Sequence, residues 1–440
     1  MLHLFPHSDE TICGCAAALR SGSTSAIELV GRCLACIDEW DSSIQAWVSV
    51  DRDAARRTAH ERDRELAQGH DRGPLHGIPV GIKDIFDVAG HVTAAGSEVW
   101  SAREPKTEDC PVVSRLRAAG AVILGKTVTT QFACFDPPMT RNPWNTKHTP
   151  GGSSSGSAAA VATGMCLAAI GSQTGGSITR PSTYCGIAGC KPSFGTVSLN
   201  GVVAVAEDLD HPGPMARCVT DLAILLSVIR DFPEETHGNS AAGLPPRIGR
   251  IHGLFDKLAD DDACAAVAFA VETLSSAGAK IVDVDLPESF DSILEQHGII
   301  MAVEAAQTHR DHFAADPDDY SPAVAGLIER GTATSRVDFS AALQHQQQLS
   351  QLVGNCFRDV DVLICPATTG TAPDLSTTGS PAMNSPWSYT GLPTVSFPTQ
   401  CAANGLPLGV QLVGRIRNDS TLLDSAIWCE SKIADVARKP

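Results

Sequence analysis

Residues 150–181 read PGGSSSGSAAAVATGMCLAAIGSQTGGSITRP, with two glycine- and serine-rich segments on either side of a run of small apolar residues. The segments are 151–156 and 174–177, and the run 158–170 has the composition of one buried helix or strand. Glycine permits backbone shapes closed to other residues and lets a ligand approach the main chain. The stretch therefore predicts a site assembled from serine hydroxyls and backbone N–H groups.

Strand and helix patterns alternate on both sides of this stretch. Before it, residues 77–84 and 121–127 have the pattern of buried strands, with a helix at 110–119 between them. After it, a strand at 201–204 precedes a helix at 220–230. This alternation predicts an α/β fold, in which a mixed central sheet is covered on both faces by helices.

The remaining chain follows the same two patterns. Residues 8–70 are predicted to form three helices, the first capped by Ser8 and the second by Ser23 or Ser25. The later predicted elements are a strand–helix–strand unit at 247–286, helices over 290–355 with breaks near 316–322 and Gly331, a strand at 361–366, a long loop at 366–389, strands at 394–398 and 409–414, and a closing helix.

Composition excludes several classes of partner. A formal net charge of −17 would repel nucleic acid and anionic membranes. The sequence has no apolar run of about 18 residues that would span a membrane, and its first twenty residues lack the pattern of a secretory signal. We therefore expect neither a nucleic-acid partner nor a membrane partner.

Fifteen scattered cysteines are typical of a reduced, cytoplasmic protein rather than of a disulfide framework. The best metal candidate is the pair Cys33 and Cys36 with Cys13 and Cys15 upstream. Because Cys33 and Cys36 fall at helical spacing inside an apolar pattern, we interpret them as packing residues and expect no metal site.

Lys83 is the candidate general base. A neutral amine can take a proton from a serine hydroxyl, and burial depresses the pKa of lysine below its usual value of about 10.4. Lys83 ends the apolar run 78–82, which is predicted to lie inside the sheet. The competing interpretation pairs Lys83 with a neighbouring carboxylate such as Asp84.

Residues 151–156 invite three other interpretations. A flexible linker conflicts with the apolar run that follows directly, and a phosphate-binding loop requires a Gly-Lys-Ser/Thr that is absent. Residues 152–156 also match the G-x-S-x-G nucleophile elbow, with Ser154 as nucleophile. That elbow needs a preceding strand, and residues 141–150, with two prolines, do not have the pattern of one.

Together, these stretches and several further motifs resemble the amidase signature family over nearly the whole chain. The motifs that carry the resemblance are 73–84 (GPLHGIPVGIKD), 142–144 (NPW), 151–157, 174–181, 185–186 (CG), 191–195 (KPSFG), 213–217 (GPMAR), 390–393 (TGLP) and 405–414 (GLPLGVQLVG).

The resemblance implies a Ser–cisSer–Lys triad. Ser177 matches the nucleophile, Ser153 matches the bridging serine held by a cis peptide, and Lys83 matches the base. In such a mechanism neutral Lys83 draws a proton through Ser153 from Ser177. The serine attacks the carbonyl carbon, and water then hydrolyses the acyl-enzyme.

The resemblance also implies an oxyanion hole formed by the backbone N–H groups of Thr174, Gly175, Gly176 and Ser177. Loss of one such donor typically costs about 2.7–4 kcal/mol of barrier. Main-chain donors need residues with little side-chain bulk, which independently favours glycine here.

Two positions depart from the family's commoner pattern. Gln173 stands where aspartate is usual, and Thr179 replaces an arginine, with Arg180 one residue later. Arg180 is a candidate to bind a substrate carboxylate or other polar acyl group, and a structural salt bridge is the alternative. Phe135 and Asp136 lie where the family builds a pocket wall.

The implied activity is hydrolysis of a carbon–nitrogen bond in a small amide, without cofactor or metal. A carbamate or urea hydrolase is the alternative within the same chemistry, and a protein resembling the glutaminase component of tRNA-dependent amidotransferases is the rival. We expect a small amide, anilide or carbamate as substrate, and a homodimer. One domain, 1–440, would comprise N-terminal helices (1–70), the signature core (71–235) and a helical insert (290–355) that shapes the substrate pocket.

Overall fold

An eleven-stranded mixed sheet carries the fold of residues 2–232 and 243–437, the part of the chain described by the computed structural model. The strands are β1 (Trp47–Val50), β2 (Pro79–Lys83), β3 (Val122–Thr127), β4 (Ala168–Gln173), β5 (Ala188–Lys191), β6 (His211–Ala216), β7 (Arg247–Ile251), β8 (Lys280–Val284), β9 (Val362–Pro366), β10 (Thr394–Cys401) and β11 (Pro407–Val413). Their order across the sheet is β1-β3-β2-β4-β6-β5-β10-β11-β9-β7-β8.

The sheet combines two parallel groups with an antiparallel centre. Strand β2 is parallel to β3 and β4, and β7 is parallel to β8 and β9. The pairs β4–β6, β5–β6, β5–β10, β10–β11 and β9–β11 are antiparallel. The predicted mixed α/β sheet is confirmed.

Fifteen α-helices accompany the sheet in the described chain, together with short 3-10 turns. They are α1 (Ile12–Ser21), α2 (Ala26–Ile44), α3 (Arg52–Ala67), α4 (Glu98–Ser101), α5 (Pro111–Ala118), α6 (Ser155–Ala162), α7 (Thr179–Tyr184), α8 (Val219–Ile229), α9 (Leu254–Leu258), α10 (Asp261–Ser276), α11 (Ile293–Ala315), α12 (Pro322–Ala333), α13 (Arg336–Val353), α14 (Ser385–Tyr389) and α15 (Asp419–Ala437). Among these described helices, none combines the length and apolar character needed to cross a membrane.

Burial shows that the middle of the sheet is covered on both faces. Every residue of β2, β3, β4 and β6 is buried. Because successive side chains of a strand point to opposite faces, complete burial requires packing on both sides. The edge strands β1 and β8 are partly exposed, so the core lies at the middle strands of the sheet.

The prediction of one buried element over 158–170 is wrong. The apolar run divides into the end of α6 and the beginning of β4. Gly164, with a φ of 72°, adopts the left-handed conformation directly after the helix, where a residue without a Cβ is favoured. The run therefore turns back on itself, and its two halves pack together.

The strand predicted at 201–204 is also wrong. That segment contributes one isolated bridge, between Phe86 and Val202. The strand lies further along the chain, at β6, which was not predicted because it contains Pro212 and Pro214, and proline is unusual inside a strand. The ladder between β6 and β5 involves only Ala216 and Met215. Pro212 and Pro214 therefore lie outside the pairing with β5, where no hydrogen bond to β5 requires an N–H group from them.

Helix caps refine the N-terminal prediction. Ser25, rather than Ser23, begins α2, with a reciprocal capping box to Glu28. The first α-helix begins at Ile12 and is capped by Thr11, after a 3-10 turn over 8–10. Strand β1 was not predicted. The connector at 243–246 is observed, whereas residues 233–235 of the predicted signature core lie outside the described residues.

The predicted break near Gly331 is observed, but the helix does not end at Gly331 itself. Gly331 lies inside α12, which ends two residues later, and the break before α13 falls at 334–335. A Cβ at this position would overlap the carbonyl oxygen of Ala302 on α11. The glycine thus permits close contact between two helices.

We predict opposite effects of alanine at the two glycines of α12. Gly331→Ala should lower the thermal unfolding midpoint, because the added methyl group enters a filled contact, at a cost of about 1–3 kcal/mol. Gly326→Ala is the matched control, since its nearest neighbour would be Arg330 Nη1 at 3.6 Å. The control should gain up to about 1 kcal/mol from helix propensity. Equal midpoints for the two variants would contradict the close α11–α12 contact.

Candidate active site

The adjacent parallel strands β2 and β4 place the predicted site residues together. Lys83 is the last residue of β2, and Ser172 and Gln173 end β4. Because both strands run in the same direction, their carboxyl ends lie at one edge of the sheet. Crevices at such edges are the usual ligand sites of open α/β sheets.

Lys83 is completely buried, with 0% of its surface exposed. Its Nζ atom donates to Ser153 Oγ at 2.7 Å and to Ser172 Oγ at 2.8 Å. Burial lowers the pKa of the Lys83 ammonium to about 7, against the opposing charge of Asp210. A substantial fraction of this side chain is therefore a neutral amine at physiological pH.

The competing pairing of Lys83 with Asp84 is not observed. Asp84 Oδ1 lies 2.7 Å from Lys126 Nζ, and both side chains are buried. Lys126 also donates to the Val92 carbonyl at 3.1 Å. Because Asp84 already has a lysine partner on β3, it does not hold Lys83 in the charged form.

Ser153 and Ser177 come from the two glycine-rich segments and line the same cavity. The Gly152–Ser153 peptide bond is cis. The Ser154 N–H group donates to the Ser177 carbonyl at 3.3 Å, which joins the segments directly. Ser177 is buried, with 8% of its surface exposed, and it lines the cavity.

The other serines of the first segment make structural contacts. Ser154 is fully buried and exchanges hydrogen bonds of 3.3 Å with the backbone of Ser172. Ser155 Oγ donates to the Gly151 carbonyl at 2.6 Å, and Ser157 Oγ lies 2.7 Å from Thr127 Oγ1. The segment before α6 contains no strand, so the structural context of a nucleophile elbow at Ser154 is absent from these residues.

The second segment presents backbone donors to the cavity. Among the described residues, the N–H groups of Gly175, Gly176 and Ser177 donate no hydrogen bond. A Cβ at Gly176 would lie 2.6 Å from Asn384 Oδ1. This close approach explains glycine at position 176, and the three donors remain available to a ligand.

Gln173 organises the residues that follow these donors. Its Oε1 atom accepts from the N–H groups of Ile178 and Thr179, each at 3.0 Å. Its Nε2 atom donates to Ser388 Oγ at 3.3 Å. Because a carboxylate cannot donate, the glutamine makes a contact that the family's commoner aspartate could not make.

Thr174 is fixed through both its side chain and its backbone. Its hydroxyl donates to Asp210 at 2.5 Å, and its carbonyl lies 3.0 Å from His297 Nε2. Burial raises the pKa of Asp210 to about 6. The carboxylate also accepts from the N–H groups of Val205 and Ala206, which favours its charged form.

Arg180 lines the cavity and holds the backbone of two separate segments. Its guanidinium donates to the carbonyls of Gly152 and Gly379, each at 2.7 Å, and to Thr378 Oγ1 at 3.3 Å. Within the described chain no carboxylate lies within salt-bridge distance of it. Burial lowers the pKa of Arg180 to about 10, so it remains a buried cation at neutral pH.

The cavity has a volume of about 580 Å³. Helices α11 and α12 supply apolar lining, including Leu294, Ile299 and Leu327, and the 377–385 segment supplies hydroxyl groups. Phe135 also lines it and is 41% exposed. Asp136 is not among the lining residues, and its carboxylate accepts a hydrogen bond from Ser321.

Four residues of this site were not identified from the sequence. Ser172 lies inside residues 150–181 and contacts Lys83. It could have been found from the sequence if the strands that carry Lys83 and Ser172 had been predicted to be neighbours. Asp210, His297 and Ser388 lie in no motif that suggests contact with residues 173–177, and folding alone brings them there.

Comparison with known proteins agrees with this architecture. The Amidase family model matches residues 28–423. A glutamyl-tRNA(Gln) amidotransferase component from Synechococcus sp. (strain CC9311) is 35% identical over 478 residues, which cover 96% of this chain and 97% of that protein.

Solved structures extend the similarity. A chain from a vestigial protein complex that reveals the origins of an s-triazine catabolic enzyme has a TM-score of 0.89 and 30% identity, covering 97% of this chain and 98% of its own. Native peptide amidase from Stenotrophomonas maltophilia has a TM-score of 0.85 and 28% identity, covering 99% of each chain. The chain therefore belongs to the amidase signature family of hydrolases that act on carbon–nitrogen bonds.

Proposed function

We propose that this protein hydrolyses small amides through Lys83, Ser153 and Ser177. The observation that carries the proposal is the 2.7 Å contact between the fully buried Lys83 amine and Ser153 Oγ. With Asp84 paired elsewhere, the amine can accept a proton. The adjacent cavity supplies room for a substrate whose carbonyl carbon meets Ser177.

The proposed reaction begins with two linked proton transfers. Ser153 passes its hydroxyl proton to neutral Lys83 and takes the proton of Ser177 Oγ. The oxygen of Ser177 then bonds to the carbonyl carbon and forms a tetrahedral intermediate. Lys83 returns a proton through Ser153 to the leaving nitrogen, the C–N bond breaks, and the amine departs.

The acyl-enzyme is hydrolysed with the same proton relay. Water gives a proton through Ser153 to Lys83 and attacks the ester carbonyl of acylated Ser177. Collapse of the second intermediate breaks the ester bond, and Ser177 regains its proton. The net products are a carboxylic acid and an amine, with the three side chains restored.

We assign the oxyanion hole to the backbone N–H groups of the 174–177 segment, namely Thr174, Gly175, Gly176 and Ser177. The last three donate no hydrogen bond in the described chain, and all four residues line the cavity. Preorganised donors of this kind stabilise the negative charge that develops on the carbonyl oxygen.

Arg180 supports a preference for acyl groups that carry a carboxylate or another acceptor. A buried cation without a carboxylate partner is costly, and a negatively charged substrate group in the cavity would compensate it. Phe135 would form the wall beside this group, and Asp136 would hold the wall through Ser321. The apolar lining from α11 and α12 would accommodate the carbon chain.

Two alternatives share the same machinery. A carbamate or urea substrate presents the same carbonyl carbon, so a parallel assay of amides, anilides, carbamates and ureas distinguishes these activities. The identity of 35% to an amidotransferase component favours glutaminase activity as a second candidate. Ammonia release from free glutamine and co-purification with partner proteins would support it, whereas unaided anilide hydrolysis would oppose it.

We further propose that the chain acts as one domain, with the three helices of the 290–355 region, α11 to α13, shaping the pocket. All fifteen cysteines are unpaired, which supports a cytoplasmic location. The homodimer expected from the sequence remains a proposal, and size-exclusion chromatography with light scattering tests it.

A fluorophosphonate should modify Ser177 alone, because activation through Ser153 makes this hydroxyl nucleophilic. Peptide mapping by mass spectrometry identifies the site. Ser177→Ala should abolish labelling and lower kcat by at least about 10³-fold. Ser154→Ala is the matched control and should remain labelled and active. Modification of Ser154 with Ser177 untouched would contradict the proposed nucleophile.

Substitution of Arg180 should affect charged and neutral acyl groups differently. For Arg180→Gln, kcat/KM for a succinyl anilide should fall about 10–100-fold further than for a butyryl anilide, since hydrogen bonds to charged groups contribute about 1.5–3 kcal/mol. Steady-state kinetics on both substrates measure this ratio. Equal losses on both would show that Arg180 supports only the backbone of residues 152 and 379.

A further inference from the structure

Two carbonyl groups of the proposed oxyanion segment are held by side chains from distant helices. His297 on α11 has Nε2 at 3.0 Å from the Thr174 carbonyl, and Ser388 Oγ on α14 donates to the Gly175 carbonyl at 3.1 Å. Because a carbonyl only accepts, the Nε2 atom of His297 carries the proton in this contact.

The geometry of the peptide unit gives these contacts a consequence. In a trans peptide the C=O and N–H groups lie in one plane and point in opposite directions. The Thr174 carbonyl shares its peptide unit with the Gly175 N–H group, and the Gly175 carbonyl shares its unit with that of Gly176. A donor that fixes either carbonyl therefore also fixes the direction of the following N–H group.

Glycine makes this support necessary. Gly175 and Gly176 have the widest choice of backbone conformation, whereas oxyanion donors act best when their direction is set before the reaction. The His297 and Ser388 contacts restrict the first two peptide units of the segment. The third is restricted at Gly176, whose carbonyl accepts from the Arg180 N–H group at 2.9 Å.

The surroundings of His297 maintain its hydrogen bond to the Thr174 carbonyl. Its ring is buried, and it lines the substrate cavity from the same helix that contributes Leu294 and Ile299. Burial lowers the pKa of the imidazole, so the neutral ring with its proton on Nε2 persists at neutral pH.

We propose that His297 is a positioning residue for the oxyanion hole, which aims the Gly175 N–H group into the cavity by holding the Thr174 carbonyl on the opposite side of the peptide plane. The inference rests on the proposed acyl-enzyme reaction and adds to it a residue outside the signature motifs. It assigns the effect of His297 to the transition state rather than to substrate binding.

Two variants of His297 test the contact directly. His297→Met keeps similar bulk without a donor, and His297→Gln retains an N–H donor at comparable reach. The methionine variant should lose about 10–100-fold in kcat with KM within about threefold, because one oxyanion donor is misdirected. Glutamine should restore kcat to within about threefold of the parent protein.

Affinity for phenylboronic acid, which forms a tetrahedral adduct with a nucleophilic serine, provides the readout that a general structural defect would not move. It should weaken in His297→Met by the same factor as kcat and recover in His297→Gln. His345→Met is the matched control on α13, where His345 contacts Tyr389 and lies outside the cavity lining. It should leave kcat and inhibitor affinity within about threefold.

Three outcomes would overturn the inference: kcat of His297→Met within threefold of the parent protein, equal losses for methionine and glutamine, or a loss confined to KM. The proposed function fails separately, if Ser177→Ala keeps full activity in the otherwise unchanged protein. An enzyme that requires Ser177 but tolerates His297→Met would refute the positioning role alone.

Discussion

A lysine amine enclosed by the sheet, without a carboxylate partner, is the constraint on which the proposed site depends. Lys83 lies at the end of a fully buried strand and donates to two serine hydroxyls. Asp84, the next residue, is paired with Lys126. Because desolvation disfavours the ammonium form, this arrangement lowers the pKa of Lys83 and makes its neutral form available near physiological pH.

The architecture of the sheet supplies the other half of the site. Parallel pairing of β2 and β4 brings Lys83 beside Ser172, and the segment after β4 then carries Ser177 into the cavity. The first glycine-rich segment directly precedes α6, and α6 leads back to the beginning of β4. This segment therefore lies at the same edge of the sheet as Lys83, and Ser153 contacts the amine. Lys83 and Ser153 therefore meet, and Ser177 lines the same cavity as Ser153, because two strands are neighbours.

The sequence predicted the features that depend on local composition. Buried apolar runs marked β2 and β3, and the glycine-rich segments marked the surroundings of Ser153 and Ser177. Features that depend on tertiary contact were missed. Prolines made β6 look unlike a strand, because the short extent of its pairing with β5 is not visible in a sequence. The close contact that Gly331 permits between α11 and α12 was not predicted either.

The same limit applies within the site. Gln173 was recognised as a departure from the family's commoner pattern, but its contact with Ser388 required the folded chain. Asp210, which directly precedes β6, and His297 on α11 support Thr174 at sequence separations that no motif spans. Motifs identify groups that carry chemistry, whereas the groups that orient them are selected by packing and become visible only in three dimensions.

The pH dependence of kcat/KM for an uncharged anilide tests the role of Lys83 most directly. If neutral Lys83 is the base, activity is lost when the amine is protonated, so kcat/KM should rise with unit slope and level off above a midpoint at about pH 7. A profile that stays flat down to pH 5 in the active enzyme would contradict the account, because a lysine protonated at that pH could not accept the proton of Ser177.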